Sequence, residues 1–260
     1  MHDPLIRSRA VAFVRSGVTN ADVARLLDVP PGTVSYWTHI DRTASGTAPG
    51  IRPRPCPRCD GCDLDEAAYS YLLGLYLGDG YIVQHAQHRA PVLAIACGNA
   101  WPGLMDACEA AMRSVFPGNS VHRRRKTGCA DVKLSSKHLT CLFPQHGPGR
   151  KHERPIALEP WQQRIVRAHP WEFVRGLIHS DGSRVINWTT RTIAGQPKRY
   201  EYPRYFFTNT SDDIIRLYTD TLDSLGVAWK HLRQRRRAQT ISVARRASVA
   251  LMDAHVGPKF

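Results

Sequence analysis

Leu72-Leu73-Gly74-Leu75-Tyr76-Leu77-Gly78-Asp79-Gly80 returns later in the chain as Val174-Arg175-Gly176-Leu177-Ile178-His179-Ser180-Asp181-Gly182. Each copy is an apolar helical stretch with small residues inside it and an Asp-Gly ending. A glycine within a helix costs about 1 kcal/mol relative to alanine, so Gly74 and Gly78 call for a reason. Their i, i+4 spacing puts them on one helical face, and Gly176 and Ser180 repeat it. A face without side chains lets a second helix approach closely. Packing the two faces together sets the C-terminal ends side by side and delivers Asp79 and Asp181 to one spot. Two carboxylates there repel each other and the helix dipoles, and a hard divalent cation with oxygen ligands is the natural compensation. Gly80 and Gly182 fit as helix-ending residues able to take a left-handed conformation.

The repeat extends beyond the motif. Leu93-Ala94-Ile95-Ala96-Cys97-Gly98-Asn99 and the amphipathic run Leu104 to Phe116 follow the first copy; Tyr205-Phe206-Phe207-Thr208-Asn209-Thr210 and Ile214 to Leu225 follow the second. Next come two basic, strand-like stretches, His122 to Lys126 and Lys230 to Arg237, and then Val132 to Lys137 against Ile241 to Arg246. His146-Gly147-Pro148 is echoed by His255-Val256-Gly257-Pro258. The second copy carries extra residues between its motif and Asn209, and the polar, basic Thr190 to Arg204 is where a longer hairpin or loop is expected. Each half thus reads helix, two strands, helix, two strands, helix, a tandem duplication rather than a solenoid array. His146 to Ile156, rich in Pro, Gly and charge, joins the halves as a loop. Leu158 to His169 reads as a helix ending before Pro170.

The two nine-residue segments resemble the two copies of the signature motif of LAGLIDADG homing endonucleases in their single-chain, double-motif form. The resemblance implies an α+β fold: two tandem αββαββα half-domains, 66–157 and 158–260, forming a pseudo-twofold saddle. It implies a site-specific double-stranded DNA endonuclease in which Asp79 and Asp181, with carbonyls near Gly78 and Ser180, hold Mg²⁺ or Mn²⁺ against the scissile phosphates. Basic residues beyond the fourth strand assist in this family, and Lys137 and Arg246 match that place. Arginine is a poor proton shuttle, so unequal cleavage of the two strands is expected. The alternative is a catalytically silent LAGLIDADG-derived DNA-binding transcriptional regulator of the WhiA kind; retention of both aspartates favours the nuclease.

Composition agrees with a nucleic-acid partner. The net charge of +14 is an electrostatic argument for a polyanion. The basic residues cluster at equivalent places in both halves, Arg123, Arg124, Arg125 and Lys126 in one and Arg233, Arg235, Arg236 and Arg237 in the other. Such residues neutralise phosphates or read guanine edges in the major groove of double-stranded DNA. A solvated basic surface is the plainer reading of the same runs.

The N-terminal segment carries a separate signal. Ile6 to Ser16 is an amphipathic helical stretch ended by Gly17, Thr19 or Asn20 caps a second helix from Ala21 to Leu27, and Pro31 to His39 reads as a third. The pattern resembles bacterial helix-turn-helix domains, which implies a small all-α DNA-binding domain over 1–42. By that resemblance Ala24 packs in the helix crossing, and Pro31, Thr33, Ser35, Tyr36 and His39 face the major groove or phosphates. A helical module for protein contact is the other reading.

Residues 43–65 read as a linker ending in a Cys-rich segment. Cys56 and Cys59 have zinc-knuckle spacing and Cys62 is a candidate third thiolate, but a structural Zn²⁺ site needs four ligands and no second CxxC exists. Unmetallated thiols in a turn are the alternative. Seven cysteines, an odd number, without a signal peptide imply a reducing compartment. No apolar run spans a bilayer. The expectation is an intracellular, bacterial or phage-like protein, cytoplasmic and nucleoid-associated, with no membrane partner. Two motifs in one chain make a monomer the expected active form.

Overall fold

A computed structural model describes residues 2–47, 56–84, 90–232 and 238–260. The chain divides into two compact units, Met1–Pro53 and Arg54–Phe260.

The first unit holds three helices, α1 (Pro4–Arg15), α2 (Asn20–Leu26) and α3 (Pro31–Ala44). Asp3 accepts from the Leu5 amide at 2.8 Å and Thr19 from the Asp22 amide at 3.2 Å, so both helix starts are capped. The α2–α3 turn passes through Asp28 at φ 51°, a left-handed position that Asp tolerates. Ala10, Val23, Ala24, Val29, Val34 and Trp37 form a separate small core.

The second unit contains the duplication. Its first half runs α4 (Glu66–Leu77), β1 (Gly80–Val83), β2 (Val92–Gly98), α5 (Pro102–Val115), β3 (Val121–Lys126), β4 (Cys129–Ser135) and the short α6 (Leu139–Leu142). A connecting helix, α7 (Pro160–Ala168), leads to the second half: α8 (Pro170–Asp181), β5 (Gly182–Ile193), β6 (Gln196–Asn209), α9 (Asp212–Ser224), β7 (Lys230–Leu232), β8 (Gln239–Val243) and α10 (Arg246–His255). The sheets have matching orders, β1-β2-β4-β3 and β5-β6-β8-β7, and every pairing is antiparallel. The expected α+β architecture of two αββαββα halves is what the chain forms.

One apolar core runs through both halves. Every residue of α4 from Tyr69 to Leu77 is buried, as befits a helix with neighbours on all sides. Polar groups on the paired helices find partners across the junction: Tyr71 Oη lies 2.9 Å from His179 Nδ1, and Ser70 Oγ donates to the His169 carbonyl at 2.8 Å.

The extra residues of the second half form a hairpin. β5 has 12 residues and β6 has 14, joined at Ala194 (φ 50°) and Gly195 (φ 78°). Two consecutive left-handed residues match the twist of the strands they join.

Candidate active site and nucleic-acid face

The close helix approach sits where the small residues predict it. A Cβ on Gly74 would lie 2.5 Å from the Phe173 carbonyl oxygen and 2.9 Å from Gly176 Cα; one on Gly176 would lie 2.2 Å from the Tyr71 carbonyl. One turn on, a Cβ on Gly78 would meet Ser180 Cβ at 2.4 Å and the Asp181 carboxylate at 3.3 Å. Ser180 turns its hydroxyl back onto its own helix, donating to the Gly176 and Leu177 carbonyls at 3.1 and 2.9 Å. That bond lets a serine stand where the other motif has glycine. Gly80 and Gly182 have a different reason from the expected one. Neither takes positive φ; instead a Cβ would strike Tyr76 Cα at 2.5 Å or Ile178 Cα at 2.7 Å. The sharp exit from helix into strand leaves no room for a side chain.

Asp79 and Asp181 therefore emerge together at the foot of this crossing. Asp79 presents an exposed edge and Asp181 is half-buried, yet protein atoms crowd both from beneath. Burial raises the Asp79 pKa, with Lys259 and Lys151 opposing. Burial, and then the charge of Asp79, push Asp181 up to about 6. Asn209 Nδ2 donates to Asp181 Oδ2 at 2.6 Å.

Two lysines outside the motifs complete the centre. Lys151 Nζ donates to the carbonyls of Tyr76 at 2.6 Å, Leu77 at 2.9 Å and Gly78. Lys259 Nζ donates to the Ser180 carbonyl at 2.6 Å. Each ammonium thus caps the C-terminal carbonyls of one motif helix, where the dipole favours a cation. Burial lowers both lysines, Lys151 to about 8, against the pull of the two aspartates. Lys137 and Arg246 are the basic residues expected to assist. Both are exposed, Lys137 beyond β4 and Arg246 at the start of α10, and among the described residues no hydrogen bond or ion pair links either to the aspartates. Lys151 and Lys259 were legible only as the lysines closing the two echoed Gly-Pro segments.

Two carboxylates and the carbonyls of Gly78 and Ser180 make a donor set of hard oxygens, which fits Mg²⁺ or Mn²⁺ rather than a soft metal. The lysine ammoniums share those carbonyls, so a divalent ion and a lysine are alternative partners for them.

The sheet register sorts the basic run of β3, because successive side chains leave opposite faces. Val121 pairs Leu134 and Arg123 pairs Val132, both buried on the helix side, while His122, Arg124 and Lys126 pair Lys133, Asp131 and Cys129 on the outer side. Arg123 accordingly salt-bridges Glu109 at 2.7 Å and also Asp106, both on α5. Arg125 leaves on the same side as Arg123. Of the four adjacent basic residues expected to contact DNA, Arg124 and Lys126 leave on the outer side and Arg123 and Arg125 on the helix side. Lys126 and Lys133 are held by buried Asp131, at 2.7 and 3.3 Å, beside the Tyr81 hydroxyl. Arg233, Arg235, Arg236 and Arg237 lie outside the described residues. The β5–β6 hairpin adds outer-side groups that the sequence reading passed over: Arg204 stacks on Tyr202 at 4.9 Å, and Lys198 lies 5.5 Å from the Tyr200 ring.

In the first unit Ser35, Tyr36 and His39 are exposed on α3, Pro31 is exposed at its start and Thr33 is half-buried. Ala24 is buried in the small core, and Asn20 Nδ2 donates to Ser35 Oγ at 3.1 Å. In the second unit Cys56 and Cys59 converge with His138 and Cys141, their ligand atoms all within 4.8 Å of one another. Cys62 is not in this group, which corrects the expected trio.

No protein-family model matches the sequence, and no curated protein matches it. Solved structures do. A set of mesophilic variants of the homing endonuclease I-DmoI matches with TM-score 0.50 and 14% identity, covering 74% of this chain and 96% of that one. I-DmoI in complex with DNA and Mn matches with TM-score 0.50 and 15% identity, over 74% and 97% of the two chains. The N-terminal LAGLIDADG domain of DUF199/WhiA matches with TM-score 0.47 and 12% identity, over 74% and 83%. The chain has the LAGLIDADG fold.

Proposed function

We propose that this LAGLIDADG-fold chain is a site-specific, divalent-metal-dependent endonuclease acting on double-stranded DNA. The observation that carries the reading is the convergence of Asp79 and Asp181, with two motif-end carbonyls, at a helix crossing whose glycines leave no freedom to separate them. Burial raises both carboxylate pKa values, and the charge of Asp79 raises that of Asp181 further, the signature of a site built to receive positive charge. When bound there, Mg²⁺ or Mn²⁺ supplies Lewis acidity toward the phosphodiester and acidifies water.

The chain's own residues have distinct tasks. Asp79 and Asp181, one from each half, would hold the ions. Lys151 and Lys259 stand beside them and offer fixed positive charge to the developing phosphorane once the carbonyls are engaged elsewhere. Asn209 orients Asp181. The outer faces of the sheets, with Arg124, Lys126, Lys198 and Arg204, take the DNA backbone. α3 of the first unit, with Thr33, Ser35 and Tyr36, adds a major-groove contact of the helix-turn-helix kind.

One observation favours a second reading, DNA binding without cleavage: Lys151 and Lys259 already satisfy the carbonyls and set positive charge beside the carboxylates. Incubating the protein with Mg²⁺ or Mn²⁺ and DNA, both from its own locus and from a randomised library, separates the two. Discrete double-strand cuts abolished by Asp79→Asn/Asp181→Asn support the nuclease; salt-sensitive binding with no product from either protein supports the regulator.

A further inference from the structure

We propose that Cys56, Cys59, His138 and Cys141 form a structural zinc site that clamps the segment entering the first motif helix to the connection between β4 and α6. The four ligand atoms lie within 4.8 Å of one another. Cys59 Sγ is 3.4 Å from Cys141 Sγ, and Cys141 Sγ is 4.0 Å from His138 Nδ1. A tetrahedral zinc with bonds of about 2.3 Å to sulfur and 2.0 Å to nitrogen separates its ligand atoms by about 3.5–3.8 Å. The group therefore brackets the required dimensions before any ion enters.

The ligands come in two local pairs, each built for the purpose. Cys56-Pro57-Arg58-Cys59 is a tight turn, closed by the Asp60 amide donating to the Cys56 carbonyl at 2.8 Å and by Asp60 Oδ2 accepting from the Cys56 amide at 2.7 Å. Gly61, at φ +66°, turns the chain away afterwards. His138 and Cys141 sit at i, i+3 across the start of α6, on one side of that turn. Three thiolates and one imidazole are a soft, nitrogen–sulfur set that suits zinc and not the hard ion of the aspartate centre.

The placement gives the site a task. α6 is a single turn of helix, too short to hold itself, and the segment ahead of α4 lacks regular structure from Cys62 to Asp65. Joining them fixes the start of the helix whose far end carries Asp79, and fixes the connection that carries Lys137. Cys62, Cys97, Cys108 and Cys129 lie outside the group.

The test uses the full chain purified from zinc-supplemented cells under reducing conditions without chelator. Elemental analysis is expected to give about one zinc per chain, the stoichiometry of a four-ligand site. Cys141→Ser and His138→Ala lose the metal, whereas Cys62→Ser retains it. Cobalt exchanged into the wild-type protein serves if those variants fail to fold. Expected are intense visible bands of tetrahedral cobalt with thiolate charge transfer. Four results would overturn the proposal: a metal-free wild type, an octahedral cobalt spectrum, zinc surviving in Cys141→Ser, or a Cys59–Cys141 disulfide in the reduced preparation.

Discussion

Lys259 Nζ donates a 2.6 Å hydrogen bond to the carbonyl oxygen of Ser180, the residue before the second motif aspartate. Lys151 does the same for Gly78, the residue before the first. The pseudo-twofold symmetry of the motif therefore extends to two basic residues that the motif itself does not contain. Each is placed to cap a helix and to face both carboxylates. Lys259→Met is expected to lower the cleavage rate by about 10²-fold, the scale of losing one transition-state charge partner. Steady-state kinetics on a cleavable target checks it; an unchanged rate would assign Lys259 to helix capping alone.

The glycine crossing predicts a stability effect opposite to helix propensity. Alanine in place of Gly74 gains about 1 kcal/mol of intrinsic helix preference. Its methyl would sit 2.5 Å from the Phe173 carbonyl oxygen, a backbone atom that cannot rotate aside. Overpacking of this kind costs about 1–3 kcal/mol or more, so Gly74→Ala is expected to lower the denaturant midpoint. Gly32→Ala on α3, where a Cβ meets open space, is expected to change stability by less than about 1 kcal/mol.

Much of this was legible in the sequence, and the limits have physical causes. The motif pair reports its own packing because glycine in a helix is costly and must be explained by a neighbour. The strand order follows from one duplicated pattern. The composition of the basic run at Arg123 to Lys126 carries no facing. Only the pairing of Arg123 with Val132, and of Arg124 with Asp131, tells which guanidinium faces the helices. The lysines of the aspartate centre, and the pairing of Cys56 and Cys59 with His138 and Cys141, are tertiary. Each joins segments far apart in the chain, and a spacing rule cannot connect them.

The register makes a prediction about DNA binding. Arg124→Ala is expected to reduce the slope of log K against log salt by about 1, as one phosphate contact is lost. Arg123→Ala is expected to leave that slope unchanged and to cost about 1 kcal/mol or less in stability, since its ion pairs with Asp106 and Glu109 are partly exposed. Binding isotherms across a salt series distinguish the two arginines.

The aspartate centre predicts a pH-dependent trade between stability and activity. Asp181 has a folded pKa of about 6 against an ordinary 3.8, so the folded state binds its proton more tightly than the unfolded chain. The stability this confers is fully present below pH 3.8 and is lost as pH rises through about 6. Asp181→Asn is therefore expected to raise Tm in chelator at pH 7.5 and to give no gain near pH 4, while removing cleavage. Thermal melts of both proteins across that range check the sign.

Metal-dependent cutting of DNA from the protein's own locus tests most directly whether the two aspartates hold divalent metal for DNA cleavage. Discrete double-strand breaks with Mg²⁺ or Mn²⁺ are expected from the wild type, and none from Asp79→Asn/Asp181→Asn although that variant still binds the DNA. Binding by both proteins with no product from either, over the full range of metal and salt, would contradict that reading and leave a DNA-binding protein with Lys151 and Lys259 set beside its paired aspartates.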